Sequence, residues 1–471
     1  MKLLRSSMKR IGAAALSLHL GACAIGPDYV RPAVDAPSAF KEIQGWKPAQ
    51  PADLQIHEKW WEAYQDPVLN SLEEQVEPSN QNLAQAEANF RQARALVNQA
   101  RAAQFPTLNG NVSANRNGRG SGSSAPGQVS TNYSLAIDAS WEADVWGRVR
   151  RTIEANVANA QASAGDLGAT RLSIRAQLAQ TYFQLRVSDA QRELLERTVA
   201  DYLKSLQLTQ NQYAAGIVPK ENVVLAQTQY KTTQAQAINI GVQRAQLEHA
   251  IALLIGKAPS VFSLPAQELS ATLPAIPVGM PSMLLERRPD IAAAERRVAS
   301  ANAQIGVAQT AYFPDLTISA VGGFQSSSFA DWLTVPNRFW AIGPALAQTL
   351  FDAGARRAQT EQAIASYDAS VAAYRQIVLT GFQEVEDNLA ALRILEQEAQ
   401  VQNEAVLSAR QSVELTTNQY RAGIVNYLSV IVVQASALNN ERTALDILNQ
   451  RLSASVLLIK ALGGGWTGLA E

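Results

Sequence analysis

Cysteine is nearly absent: Cys23 is the single one in 471 residues, so no internal disulfide can form. Histidine is almost as scarce, with three in the chain. Only His57 and His249 would remain once a leader ending before Cys23 is removed. Lone histidines are more often structural than catalytic, and no Gly-rich phosphate loop or paired metal-ligand spacing accompanies them. The expectation is therefore no enzyme, with no catalytic residue, no metal and no cofactor. Proline is missing from Val149 to Val218 and everywhere after Pro344, so nothing in those stretches forces a helix to stop. Nor does one sign of charge prevail, since 40 basic residues face 41 acidic ones. That balance gives no basic footprint for nucleic acid.

What is present begins at the N-terminus. Lys2, Arg5, Lys9 and Arg10 precede an apolar stretch from Ile11 to Leu20 that runs into Leu20-Gly21-Ala22-Cys23. A charged start followed by a short apolar run is a secretory signal, and about ten residues fall short of the roughly 20 that a spanning helix needs. Leu-Gly-Ala-Cys resembles the lipobox of bacterial lipoproteins, which makes Cys23 the expected lipidation site, carrying a covalent N-acyl diacylglyceryl group. The alternative is a non-lipidated leader with a chance cysteine. Ala24 stands where the lipoprotein inner-membrane retention signal would have Asp, which implies export to the outer membrane. Covalent chains contribute about 0.8 kcal/mol per buried methylene to anchoring. Loss of residues 1–22 takes away four positive charges and no negative ones, moving the formal balance from −1 to −5.

The remainder is one unit written twice. Asn211-Gln-Tyr-Ala-Ala-Gly-Ile-Val218 returns as Asn418-Gln-Tyr-Arg-Ala-Gly-Ile-Val425, and Phe105-Pro106 returns as Phe313-Pro314. Gly147 with Arg148 and Arg150 corresponds to Gly354 with Ala355 and Arg357. The sequence divides into a signal peptide at 1–22, an extended strap at 23–65, a first repeat at 66–260, a connector at 261–281, a second repeat at 282–465 and a tail at 466–471. The connector region, Lys257 to Pro281, holds five prolines and reads as an irregular surface crossing.

Within each repeat the main feature is an apolar residue every seven. Ile153, Ala160, Leu167, Ile174, Leu195 and Tyr202 share one register, and Val157, Ala164, Leu178, Leu185, Val199 and Leu206 the other. The second repeat keeps the step through Ile364, Val371, Val378, Val385, Leu392, Ala399, Val406 and Val413. A helix from Val149 to Tyr213 would be roughly 98 Å long at 1.5 Å per residue, too long for a compact domain. A strict seven-residue step falls short of two full turns, so such helices pack as left-handed coiled coils. Second runs, Glu221 to Ile255 and Tyr427 to Leu462, must return alongside as helical hairpins. Gly216 and Gly423 suit the left-handed position that ends a helix.

Between an opening helix, about Asn82 to Gln104, and the long helix, the period changes to two. Leu108, Val112 and Ala114 alternate with Asn109, Asn111, Ser113 and Asn115. Tyr133, Leu135, Ile137, Ala139 and Trp141 alternate with polar neighbours in the same way, and Leu316, Ile318, Ala320, Trp340, Ile342 and Leu346 repeat the pattern. Strands apolar on one face and polar on the other fit a transmembrane barrel, or a half-buried sheet in a soluble domain. Four strands cannot close a wide barrel, and open edges are not tolerated in lipid. Several copies would have to share one, and three would supply twelve strands.

Leader, Cys23-Ala-Ile-Gly-Pro-Asp-Tyr-Val-Arg-Pro32, the two repeats and the paired Tyr-x-x-Gly tips resemble the TolC-type outer-membrane factors, in the NodT branch of efflux lipoproteins. Tyr420-Arg-Ala-Gly-Ile-Val-Asn-Tyr-Leu428 and Lys460-Ala-Leu-Gly-Gly-Gly-Trp466 are the other specific parts. The resemblance implies a mainly α fold with a small β part: a homotrimeric α-barrel of coiled-coil hairpins continuous with a 12-stranded β-barrel, four strands per subunit. It implies a passive duct for drugs or other small molecules. The partners would be a periplasmic adaptor protein and an inner-membrane transporter of the RND type. Adaptor contact would fall on Ala215, Gly216, Ile217 and Val218 and on Ala422, Gly423, Ile424 and Val425, although the glycines have turn roles as well. The pore gate would involve Tyr420, Leu428 and Val432. Relatives commonly place Asp where this chain has Val432, so an apolar constriction with weak cation preference is expected. A non-conducting lipoprotein scaffold spanning the periplasm is the rival reading.

Overall fold

The computed structural model describes residues 24–42, 59–118, 129–267 and 287–466, with the isolated positions 269, 273, 274, 276 and 468. Cys23, the leader, His57 and most of the connector lie outside the described residues. The chain forms α1 (Pro67–Ser79), α2 (Gln81–Ala102), β1 (Thr107–Gly118), β2 (Val129–Glu142), α3 (Arg148–Ala214) and α4 (Lys220–Leu254). The second repeat forms α5 (Pro289–Thr310), β3 (Asp315–Ser326), β4 (Arg338–Ala347), α6 (Ala355–Arg421) and α7 (Tyr427–Ala461). Both long helices have 67 residues and both return helices 35, so the repeat holds in length as well as in motif.

Helix α1 was not expected. Its start is fixed by Asp66, whose Oδ1 accepts the backbone N–H groups of Val68 and Leu69 at 2.9 and 3.1 Å, satisfying donors that a first helical turn leaves free. Pro67 occupies the first helical position, where no N–H is needed.

Two compact units divide the contacts. The first comprises the described residues of 1–33, 89–164 and 293–375. It contains the sheet, an antiparallel meander in the order β1-β2-β3-β4 although β2 and β3 come from different repeats. Val112 pairs with Leu135, Leu135 with Phe324 and Phe324 with Arg338, so the alternating apolar positions read from the sequence fall on one face. The strap residues that follow Cys23 are extended and tied to this unit. Arg151 donates to the carbonyls of Ile25 and Gly26, both at 3.2 Å, and to Asp28 at 3.0 Å. Asn302 donates to the carbonyl of Pro27 at 2.9 Å, and the hydroxyl of Tyr29 donates to Glu295.

Along the start of α3 the small residues Ala155, Ala158, Ala162, Gly165 and Gly168 and the heptad residue Ala160 are buried, whereas the heptad residues Ile153, Val157 and Leu167 are only half-buried. Small residues let neighbouring backbones come close, so the tight contact in one chain falls on them. In α6 the expected seam positions Val378, Val385 and Val406 are buried, Val371, Leu392, Ala399 and Val413 are half-buried, and Ile364 is exposed.

The second unit comprises the described residues of 34–88, 165–292 and 376–471. Its centre is an aromatic hub in which Tyr64 meets Phe183 at 4.9 Å and Tyr182 meets Phe183 at 5.7 Å between centroids. The described start of the connector is exposed at nearly every residue, with Leu264 alone buried between 261 and 267. Its backbone N–H is held by Glu248 and its carbonyl by Arg244, at 2.6 and 2.5 Å, which removes the cost of burying loop backbone.

Glu73 on α1 is fully buried, and neither carboxylate oxygen has a hydrogen-bond partner. Burial holds the group well above the usual carboxylate range against the opposing charge of Arg175. The folded state therefore binds this proton more tightly than the unfolded chain does. The stabilisation is complete below the unfolded value, 4.5, and is lost as pH rises towards the folded value. Glu73→Gln is expected to raise the thermal midpoint at pH 8 while leaving it nearly unchanged at pH 4, the gap widening by up to about 1.4 kcal/mol per pH unit. Thermal melts across that range check this, and a lower midpoint at pH 8 would sink it.

Candidate functional site

The sheet presents two chemically opposite faces. On one, Leu108, Ile137, Trp340, Ile342 and Leu346 are at least 61% exposed. A contiguous apolar surface of this kind marks an interaction with lipid or protein. Aromatic side chains bracket it. At the helix end, the Trp141 indole N–H donates to the carbonyl of Gln104 at 3.0 Å, and Trp146 stacks on Phe313 at 4.9 Å. At the other end Tyr133, Phe329 and Trp332 form a triangle with centroid separations of 5.4, 6.1 and 6.0 Å. Tyrosine and tryptophan favour the boundary between hydrocarbon and water.

The opposite face is polar on β1, β2 and the first half of β3, and carries Phe339 and small residues on β4. Asn109, Asn111, Ser134, Asp138, Ser140, Thr317 and Ser319 share it by alternation, and Asp138 accepts from the side-chain amides of Asn109, at 3.2 Å, and Asn111. Among the described residues no helix is long and apolar enough to cross a membrane.

At the hairpin tips the two repeats adopt the same turn. Gly216 and Gly423 have φ of +73° and +71°. Gly216 donates to the carbonyl of Tyr213, and Ile217 to that of Gln212, at 3.0 and 2.9 Å; Gly423 and Ile424 donate to Tyr420 and Gln419 at the same distances. This pair of bonds is the Schellman motif, which needs a left-handed residue and so favours glycine. It turns Ile217 and Ile424 outward, 70% and 72% exposed. Ala215 and Ala422 are exposed, while Val218 and Val425 are half-buried. Each tip is thus a small apolar knob. Helix α7 is capped by Asn426, whose Oδ1 accepts from the backbone of Ser429 at 3.1 Å; α4 begins at Pro219 with no side-chain cap.

The three expected gate residues do not lie together. Tyr420 is buried in a cluster with Leu206, Ala226, Tyr427 and Val430. Its ring lies 5.3 Å from that of Tyr427, and its hydroxyl donates to Gln212 Oε1 at 2.6 Å. Leu428 and Val432, one helical turn apart, are 54% and 59% exposed. They occupy a free apolar face of α7, while Tyr427 and Val430 face the cluster. The arrangement separates a packed latch from an apolar lining.

Sequence reading missed Gln212, Tyr427 and Leu206 as partners of Tyr420. The repeat contained part of the signal. Tyr213 and Tyr420 are equivalent in sequence, yet Tyr213 is 46% exposed and Tyr420 6%. Only the fold distinguishes them, because Tyr420 reaches a residue 208 positions away.

Comparison with known proteins agrees with this geometry. The solvent efflux pump outer membrane protein SrpC of Pseudomonas putida is 30% identical over 455 residues, covering 96% of this chain and 97% of SrpC. The toluene efflux pump outer membrane protein TtgF, also of Pseudomonas putida, is 31% identical over 470 residues, covering 97% of each chain. The solved structure of the outer-membrane channel OprN superposes with a TM-score of 0.89 at 29% identity, covering 94% of this chain and all of that one. Residues 72–257 and 280–464 match the model of the outer membrane efflux protein family. With both repeats matched and the channel fold shared, the chain belongs to the outer membrane efflux proteins and serves as an efflux channel of the outer membrane.

Proposed function

We propose that three copies close a common barrel and form a passive duct. Such a duct would receive cargo from a periplasmic adaptor and an RND-type inner-membrane transporter and release it outside the cell. The observation that carries this reading is the sheet: one polar face, one apolar face bracketed by aromatics, and two unpaired edges, β1 and β4. Unpaired edges in lipid cost several kcal/mol per group, and joining β4 of one copy to β1 of the next removes them. Twelve strands with the polar face inward leave a lumen. Cyclic closure also makes the contacts identical for each copy.

The tips at 215–218 and 422–425 are the adaptor contact in this reading, since their exposed apolar knobs are small and presented alike by both repeats. Cys23 carries the lipid, and the extended strap held by Arg151 leads from it. Cargo follows the partner transporter. The solvent and toluene pumps among the relatives point to small organic compounds as its class.

Leu428 and Val432 line the constriction. Three copies of these apolar side chains brought close on an axis exclude water and gate by dewetting. With valine rather than a carboxylate there, cation selectivity is weak. Purified full-length protein in planar bilayers tests the duct. The unaltered channel is expected to conduct in small, infrequent steps, and Leu428→Ser or Val432→Ser to conduct in larger and more frequent ones. A folded trimer that never conducts, with either substitution, would favour a scaffold instead. Strong cation selectivity abolished by changing a residue other than Val432 would overturn the account of the gate.

A further inference from the structure

Charge on the sheet is segregated by face and by end. On the polar face the ionisable residues are acidic: Asp138, Glu142 and Asp315. The apolar face bears two charges, both arginine. Arg116 follows Ala114 by two in β1 and pairs with Thr131; Arg338 pairs with Phe324 at the start of β4. Both are exposed, and neither has an ion pair or side-chain hydrogen bond among the described residues.

The two lie at the end of the sheet away from the helices, just where the aromatic triangle of Tyr133, Phe329 and Trp332 ends the apolar band. They also stand on β1 and β4, the two sheet edges. Closing copies into a barrel, the reading proposed above on which this inference rests, sets β4 of one copy against β1 of the next. Arg338 and Arg116 then stand on the two strands that flank every seam, facing outward towards the exterior rim.

We propose that each seam is a binding site for the phosphate groups of the phosphorylated glycolipid that forms the outer leaflet of the outer membrane. Guanidinium presents a fork of N–H donors that matches phosphate oxygens two at a time. The apolar face below accepts the acyl chains, and the aromatic triangle accepts the junction between chain and sugar. An arginine facing hydrocarbon is costly away from the interface, so its placement here calls for an anionic partner. Anionic lipid headgroups attract basic residues near the membrane surface. The leaflet distinguishes the source, because the arginines sit at the end of the sheet away from the helices, which lead to the periplasmic side. A phospholipid of the inner leaflet would not reach them.

The test uses the full-length protein, purified and stripped of lipid, with native mass spectrometry to count what rebinds. Three probes are compared: diphosphorylated lipid A, the same lipid enzymatically freed of phosphate, and phosphatidylglycerol. Diphosphorylated lipid A is expected to bind preferentially, and Arg116→Gln with Arg338→Gln to weaken it at least about tenfold. Lysine at both positions would retain an intermediate affinity, because the charge remains but the fork is lost. Arg442→Gln on α7, a charge-matched control, should leave binding unchanged. Equal binding of the phosphate-free lipid, or undiminished binding by the double glutamine variant, would overturn the proposal, and preference for phosphatidylglycerol would overturn the choice of glycolipid. Conductance is measured in parallel. If neither protein conducts, the duct reading fails; if both conduct and lipid binding is unaltered, only the seam site does.

Discussion

Asp189→Ala is expected to cost about 3–5 kcal/mol of stability, because it strips the shared anion from a buried guanidinium group, Arg186, and a half-buried one, Arg244. Arg186 and Asp189 have side chains only 2% and 4% exposed, and Arg244 is 15% exposed. Asp189 accepts from Arg186 at 3.3 Å through one oxygen and from Arg244 at 2.6 Å through the other. Arg186 also donates to the carbonyl of Pro265 at 2.8 Å and lies over the ring of Tyr182 at 4.9 Å. Tyr182 in turn donates to Asp66 at 2.7 Å, the residue that caps α1. One carboxylate thus joins α3, α4 and the described start of the connector, and through Tyr182 it extends to α1.

Without Asp189, the two cations retain, among the described residues, Glu248 alone as an anion, 3.6 Å from Arg244, and Arg186 is left in a buried site without a counter-ion among those residues. A neutral replacement of both partners, Arg186→Met with Asp189→Leu, is expected to cost less than Asp189→Ala alone, since it removes the stranded charge together with its partner. Thermal and denaturant midpoints of the two variants decide the matter. A loss below about 1 kcal/mol for Asp189→Ala, the level of an exposed pair, would mean that solvent reaches the cluster.

This network also marks the boundary of what could be read from sequence. The long helices were legible because periodicity, absent proline and a glycine at each turn all act within a few residues of one another. Their ends, Arg148–Ala214 and Ala355–Arg421, follow from those local rules. Strand faces were legible for the same reason, since alternation is a local property. Arg186 gave no such signal. An arginine inside a helical run reads as a solvated charge, and its burial depends on Pro265 and Arg244, which are brought near by the fold. Helix α1 was hidden because its pattern is short, 13 residues with Pro78 near its end. Tyr420 was identified by its motif, but its partner Gln212 could not be, for that pairing crosses from one repeat to the other.

Tyr420→Ala is the second large effect expected, in channel opening rather than in stability. Tyr420 fills a cluster of five buried residues near the tips and fastens α6 to α3 through Gln212. If the closed state is held by this packing, loss of the ring removes about 3–5 kcal/mol of support from it. A gate closed by that margin would then be open for much of the time. Tyr420→Phe keeps the ring and loses only the bond to Gln212, net about 0.5–1.5 kcal/mol, for a rise in open fraction of roughly twofold to tenfold. Ionisation of Tyr427 does not intrude at physiological pH, because burial, with Tyr420 and Tyr202 alongside, pushes its phenol up to about 12. Single-channel recording should therefore rank the proteins Ala above Phe above unaltered, with the same order at pH 6 and pH 8. Thermal midpoints separate a latch from a simple support: a latch loosens the tip without lowering global unfolding by the same amount. Should Tyr420→Ala melt earlier yet stay closed, the cluster only stabilises the hairpins, and gating would rest on Leu428 and Val432. Combining Tyr420→Ala with Leu428→Ser then tells whether packing and dewetting act independently, because contributions from Tyr420 at the end of α6 and from the exposed face of α7 should add.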